Sequence, residues 1–267
     1  MVLYIFSATL FAAEVRSHQI KSAAMEREIG LSVILPGSCA AGERRFPVVY
    51  LLHGYDGDHR NWIDKTDVET LADLHEIIIA CPDGDKDSWY FDSPVDQDSR
   101  YETHVAKEAV QAVDSLYRTL SDPKYRAITG LSMGGHGALF LAARHSDVFG
   151  AAGSMSGGVN LLPYKDSRWS LDEKLGLFSE HPERWEEWSA ISASTAFQGK
   201  DVALIIDCGV EDFFLEVNRQ LHFRLTSLGI KHDYIEREGK HDWDYWSNAV
   251  RYQMFFFFTH FSDNGSW

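Results

Sequence analysis

The sequence is poor in cysteine, in positive charge and in long apolar runs. It has three cysteines, Cys39, Cys81 and Cys208, among 267 residues. An odd number with no CxxC spacing makes neither a disulfide framework nor a zinc site. Cys81 and Cys208 each end an apolar run, where a small buried hydrophobe fits and a catalytic thiol is not expected. Lysine and arginine total 25 against 40 aspartates and glutamates, a formal net charge of −15. Such a surface repels nucleic acid and anionic membranes, so neither is an expected partner. The longest apolar stretch at the start, residues 2–13 (VLYIFSATLFAA), is too short to span a bilayer.

The rest of the composition is that of a folded domain: 45% hydrophobic, 13% aromatic and 24% charged. No repeat or low-complexity linker divides it, so one large domain is expected. Residues 2–13 resemble the apolar part of a signal peptide, with small residues at Ala12-Ala13 and polar Glu14-Val15-Arg16-Ser17 following. The basic start of a signal is missing. Two expectations follow: an exported protein whose domain spans 17–267 after a cleaved 1–16, or a cytoplasmic one that begins with an ordinary apolar strand.

Short β-branched and aromatic runs alternate with helical spacing. Residues 29–35, 46–52, 77–81, 125–129, 149–155, 202–206 and 234–235 read as strands. Residues 67–75, 101–120, 133–143 and 246–258 read as helices. This rhythm predicts an α/β fold, a mainly parallel sheet with helices on both faces. Residues 158–200 break the rhythm. They carry Trp169, Trp185 and Trp188 and predict a lid-like insert over the carboxyl edge of the sheet.

The sharpest signal is Gly130-Leu131-Ser132-Met133-Gly134, between a predicted strand and a helix of small residues. A nucleophile on a sharp strand-to-helix turn needs glycines two positions before and after it, where Cβ atoms would clash. A serine hydroxyl also needs a base and an orienting carboxylate, in the chain order serine, acid, histidine. His241, in Glu238-Gly239-Lys240-His241-Asp242-Trp243 after a late strand, fits the base. For the acid, position leaves Asp207, Glu211 and Asp212 open. The oxyanion donors fall on the Met133 N–H and on the Tyr55 N–H in His53-Gly54-Tyr55-Asp56-Gly57. His53 reads as a loop-shaping residue, because the chain order already supplies a base.

In this order and spacing, LLHGYDG, GLSMGGHGALFLA, DCGVEDFF and GKHDWDYW resemble the esterase D-like family. That family includes feruloyl and acetylxylan esterases of carbohydrate esterase family 1, tributyrin-type esterases, S-formylglutathione hydrolases and mycolyltransferases. The resemblance runs from about Phe46 to the C-terminus. It implies an α/β-hydrolase fold, a triad of Ser132, Asp212 and His241, oxyanion donors at Tyr55 and Met133, and no cofactor. It also suggests Trp89, in DSWYFDS, and Trp243 as substrate-site residues. Asp83, Asp85 and Asp87 alternate like a calcium loop, but Ser88 and Pro94 stand where an EF-hand needs glycine and glutamate, so no metal is assigned. The expected activity is hydrolysis of a small-molecule or polysaccharide-linked ester, feruloyl or acetyl on plant polysaccharide, with a short-chain acyl esterase or S-formylglutathione hydrolase-like thioesterase as the alternative.

Overall fold

A computed structural model describes residues 12–40, 42–165 and 169–265. Most of the signal-like segment, residues 1–11, lies outside the described residues. Among those described, eight strands form one sheet: β1 (Glu14–Ser22), β2 (Arg27–Leu35), β3 (Val48–Leu52), β4 (Ile78–Pro82), β5 (Arg126–Gly130), β6 (Ala151–Met155), β7 (Ala203–Gly209) and β8 (Asp233–Arg237). Their order is β1-β2-β4-β3-β5-β6-β7-β8. β2 is antiparallel to both its neighbours, and β3 to β8 run parallel. This is the α/β-hydrolase fold.

Side-chain alternation along the strands builds a core on each face of the sheet. Val48, Tyr50 and Leu52 of β3 pack with the helix Met133–Arg144 and the helix Leu215–Ser227. Val49 and Leu51 pack with the helices Val68–His75 and Trp243–Asp263. The last of these is tied to the sheet beneath the strand ends. Buried Gln253 accepts from Thr129 Oγ1 at 2.6 Å and donates to the Ser154 carbonyl at 3.2 Å.

Of the boundaries that differ from the sequence reading, three bear on the architecture. β1 begins at Glu14, where it pairs with Leu35, inside the 1–16 stretch. The helix expected over 101–120 runs as Tyr101–Thr103, a π-helical stretch His104–Ala109, and Val110–Leu116. It stops there because Thr119 bridges Phe46 and the Leu120 N–H donates to the Phe46 carbonyl at 2.8 Å. The last helix starts at Trp243, three residues early, because Asp242 caps it by accepting from the Tyr245 N–H at 3.0 Å.

The insert between β6 and β7 carries the short helices Leu171–Leu175, Pro182–Glu187 and Ala190–Ala193. Trp185 and Leu175 are buried in the core, so this tryptophan packs the insert. Lys174 lies 3.4 Å from Asp87 and 3.2 Å from Asp96. His136, on the helix after Ser132, meets the Trp188 carbonyl at 3.0 Å and the Ala190 N–H at 3.2 Å through Nε2. Its ring is enclosed by Trp89, Phe91 and Phe140. Burial there holds the imidazole down to about 4.

The unfolded chain protonates this group near 6.5 and the folded protein only near 4, so the unfolded state binds more protons in that window. Stability is therefore expected to fall as pH drops from 6.5 towards 4. His136→Gln, which cannot protonate, should escape up to about 3 kcal/mol of that loss. Urea unfolding of both proteins at about pH 7 and about pH 4.5 measures the difference. Equal losses would refute it.

Candidate active site

β5 delivers the chain to Ser132, whose φ of 55° and ψ of −116° lie outside the regions an L-residue prefers. The helix Met133–Arg144 starts at the next residue. The turn crosses the end of β3 at backbone contact distance. A Cβ on Gly130 would lie 2.7 Å from the Leu52 carbonyl oxygen, and one on Gly134 would lie 2.5 Å from that of His53. Both positions therefore require glycine. The Ser132 N–H donates to the Met155 carbonyl at 2.9 Å, fixing the turn to the end of β6.

His241 stands over this serine. Ser132 Oγ and His241 Nε2 are 2.9 Å apart. On the other side of the ring, Nδ1 lies 2.8 Å and 3.0 Å from the two oxygens of Asp212. An ionised carboxylate only accepts, so Nδ1 carries the proton and Nε2 is free to accept from the serine hydroxyl. The Asp212 carboxylate is shut from solvent and also accepts from the Phe214 N–H at 2.8 Å.

The three carboxylates that position left open are now separated. Glu211 is exposed. Asp207 is buried, but alternation along β7 turns it to the face of Ile205, beneath the last helix, where Tyr245 and Arg237 bind it. Asp212 meets the histidine.

The loop 53–57 runs beside the nucleophile. A Cβ on Gly54 would be 3.4 Å from Ser132 Cβ, so the backbone of this loop passes close to the serine. His53 accepts from the Gly84 N–H at 2.7 Å and donates from Nδ1 to the Gly54 carbonyl at 2.8 Å, so it shapes this loop. The Met133 N–H is the first of its helix and has no partner within the helix turn.

The two tryptophans expected at the substrate site both pack against other side chains. Trp89 is 2% exposed. It lies under the site, its backbone N–H 3.3 Å from Met133 Sδ and its indole N–H donating to the Trp169 carbonyl at 3.1 Å. Trp243 packs edge-on against Trp62 and Trp246, with Lys65 over its ring. The tryptophan whose ring meets His241 is Trp246, at 4.9 Å.

The exposed aromatic at the site is one the motif reading passed over. Phe213, next to the buried acid, is 55% exposed, and its ring centre is 4.3 Å from that of His241. Trp169 of the insert stacks on it at 5.9 Å and 22°. Tyr164 donates to its carbonyl at 3.2 Å. Tyr55 Oη and Ser170 Oγ are 3.4 Å apart, so residues 169–170 reach from the His241 side to the oxyanion loop. The signal was the paired phenylalanines directly after the acid.

Residues 22–254 match the family described as "Putative esterase". The chain belongs to this esterase family. It is a carboxylic ester hydrolase. An acetyl esterase of Caldicellulosiruptor saccharolyticus is 26% identical over 213 residues, covering 76% of this chain and 79% of its own. The S-formylglutathione hydrolase of Bos taurus is 28% identical over 214 residues, 73% of each chain. Among solved structures, a ferulic acid esterase superposes with a TM-score of 0.81 at 28% identity, over 94% of this chain and 99% of that one. A fluorophosphonate-binding serine hydrolase of Staphylococcus aureus, with a TM-score of 0.83 at 21% identity over 92% and 99%, shares the fold.

Substitution separates the carboxylates. Ser132→Ala and Asp212→Asn are each expected to lower kcat on p-nitrophenyl acetate roughly a thousandfold or more. Glu211→Gln should stay within about twofold of the parent, since exposed positions away from the chemistry tolerate change. Similar losses in the Asp212 and Glu211 variants would contradict this geometry.

Proposed function

We propose that the protein hydrolyses feruloyl or acetyl esters carried by plant polysaccharide, through an acyl-enzyme on Ser132. The reading of the chemistry rests on the Ser132–His241–Asp212 chain of hydrogen bonds. Ser132 Oγ attacks the ester carbonyl as its proton passes to His241 Nε2, and Asp212 stabilises the imidazolium that forms. The Tyr55 and Met133 N–H groups hold the oxyanion, each donor worth about 3 kcal/mol at the transition state. His241 then returns the proton to the departing alkoxide. A water molecule, deprotonated in turn by His241, releases the acid and restores the hydroxyl.

The reading of the substrate rests on Phe213. An exposed ring against the base, backed by Trp169, offers a flat apolar face to an aromatic acyl group or a sugar ring. The likeness to a ferulic acid esterase along nearly the whole chain supports it. The signal-like residues 2–13 support action outside the cytoplasm, where such polymers are found. Among the described residues no helix is long and apolar enough to cross a membrane.

A second reading, a short-chain acyl esterase or a thioesterase acting on S-formylglutathione, draws on the likeness to the bovine hydrolase. Rates on methyl ferulate, acetylated xylan, p-nitrophenyl butyrate and S-formylglutathione at equal enzyme concentration decide between the two. Release of ferulate or acetate at rates above the butyrate ester is the expected result. Activity confined to the butyrate ester or the thioester would exclude the polysaccharide reading. Phe213→Ala should cost methyl ferulate about tenfold in kcat/KM and p-nitrophenyl acetate less than threefold, by removing an aromatic contact worth about 1 kcal/mol or more.

A further inference from the structure

The carboxylate that the triad leaves unused has a place of its own. Asp207 is fully buried near the carboxyl end of β7. One of its oxygens accepts from the Tyr245 hydroxyl, and the other from the Arg237 guanidinium. Arg237 is the last residue of β8, and Tyr245 lies in the first turn of the helix Trp243–Asp263. Between them is the five-residue loop 238–242, which carries His241. A single side chain therefore grips both ends of the loop that holds the base. We infer that Asp207 is a positioning residue for His241, acting through Arg237 and Tyr245, an inference that rests on the reading of His241 as the base for Ser132.

The packing of the loop supports this. The Tyr245 ring lies where a Cβ on Gly239 would be, 2.5 Å away, and Gly239 has a φ of +132°. The ring thus fixes the path of the loop, and Asp207 fixes the ring. The Val210 N–H donates to the Arg237 carbonyl at 2.8 Å and the Glu211 N–H to that of Gly239 at 2.9 Å, which registers the loop against the turn bearing Asp212. Arg237 lies over the ring of Tyr252 at 4.0 Å, and its Nε and Nη1 have no hydrogen-bond partner among the described residues. The Asp207 carboxylate thus supplies the hydrogen bond that orients this guanidinium against the Tyr252 ring, while backbone pairing to β7 holds the strand itself. An error of about 1 Å in the imidazole is enough to lower turnover a hundredfold.

Two variants test the clamp. Tyr245→Phe keeps the ring and removes only the hydroxyl that binds Asp207, and Asp207→Asn removes the charge. In each, with p-nitrophenyl acetate, kcat is expected to fall about ten- to a hundredfold while KM stays within about twofold. The low-field proton resonance of His241 Nδ1–H, which reports the bond to Asp212, should broaden or vanish while the circular dichroism of the fold is retained. A folded variant with kcat within twofold of the parent, or with that resonance unmoved, would overturn the inference. So would loss of folding in both variants, which would make Asp207 a core element alone. If Ser132→Ala keeps its turnover, the reading of His241 fails whatever Asp207 does; if Ser132→Ala is inactive and the two clamp variants are not impaired, the clamp alone fails.

Discussion

The backbone that carries Ser132 passes over the end of β3 with no room for a Cβ two residues before or after the serine, and the rest of the site is laid out from that contact. Gly130 and Gly134 allow it, because the carbonyls of Leu52 and His53 occupy the space their Cβ atoms would need. With the crossing in place, the loop after β3 runs alongside the nucleophile and the helix begins one residue beyond it. The strain at Ser132 is sustained by hydrogen bonds from the turn to β3 and β6.

Much of this was legible in the sequence. The β-branched runs of β3 and β4 and the glycine spacing around Ser132 predict the central strands and the turn, because burial on both faces and steric exclusion act locally. His241 followed from chain order. Position alone did not choose the acid, since Asp207, Glu211 and Asp212 lie within six residues and the strand ends among them; the family resemblance implied Asp212. Once β7 is known to reach Gly209, parity answers for Asp207: it shares a face with Ile205, away from the base. The tryptophans show the limit of motif reading. Trp89 and Trp243 lie within the motifs, but Trp89 completes the core and Trp243 is half-buried against its edge.

Near the acid the usual order of burial is inverted: Asp212 is enclosed and the adjacent Phe213 is exposed. The carboxylate is satisfied by the imidazole and by the Phe214 N–H, which makes its enclosure tolerable. The phenylalanine gives up burial to stand against the histidine, with the insert closing behind it. The insert is therefore part of the site, although its sequence shows no catalytic motif. Its anchors, Lys174 and His136, connect it to Asp87 and Asp96 and to the helix that follows Ser132.

The last helix bears on the order in which the molecule is made. Residues 243–263 lie beneath the ends of β5 and β6, where Gln253 bonds Thr129 and Ser154, and the same helix closes the histidine loop. A ribosome adds residues at about 5–20 each second, so Ser132 joins the chain several seconds before His241, 109 residues later. During that interval the growing chain holds a nucleophile without a proton acceptor and an incomplete core on one face. Assembly of the Ser132–His241 pair thus waits until the loop 238–242 and the helix that closes it have been added.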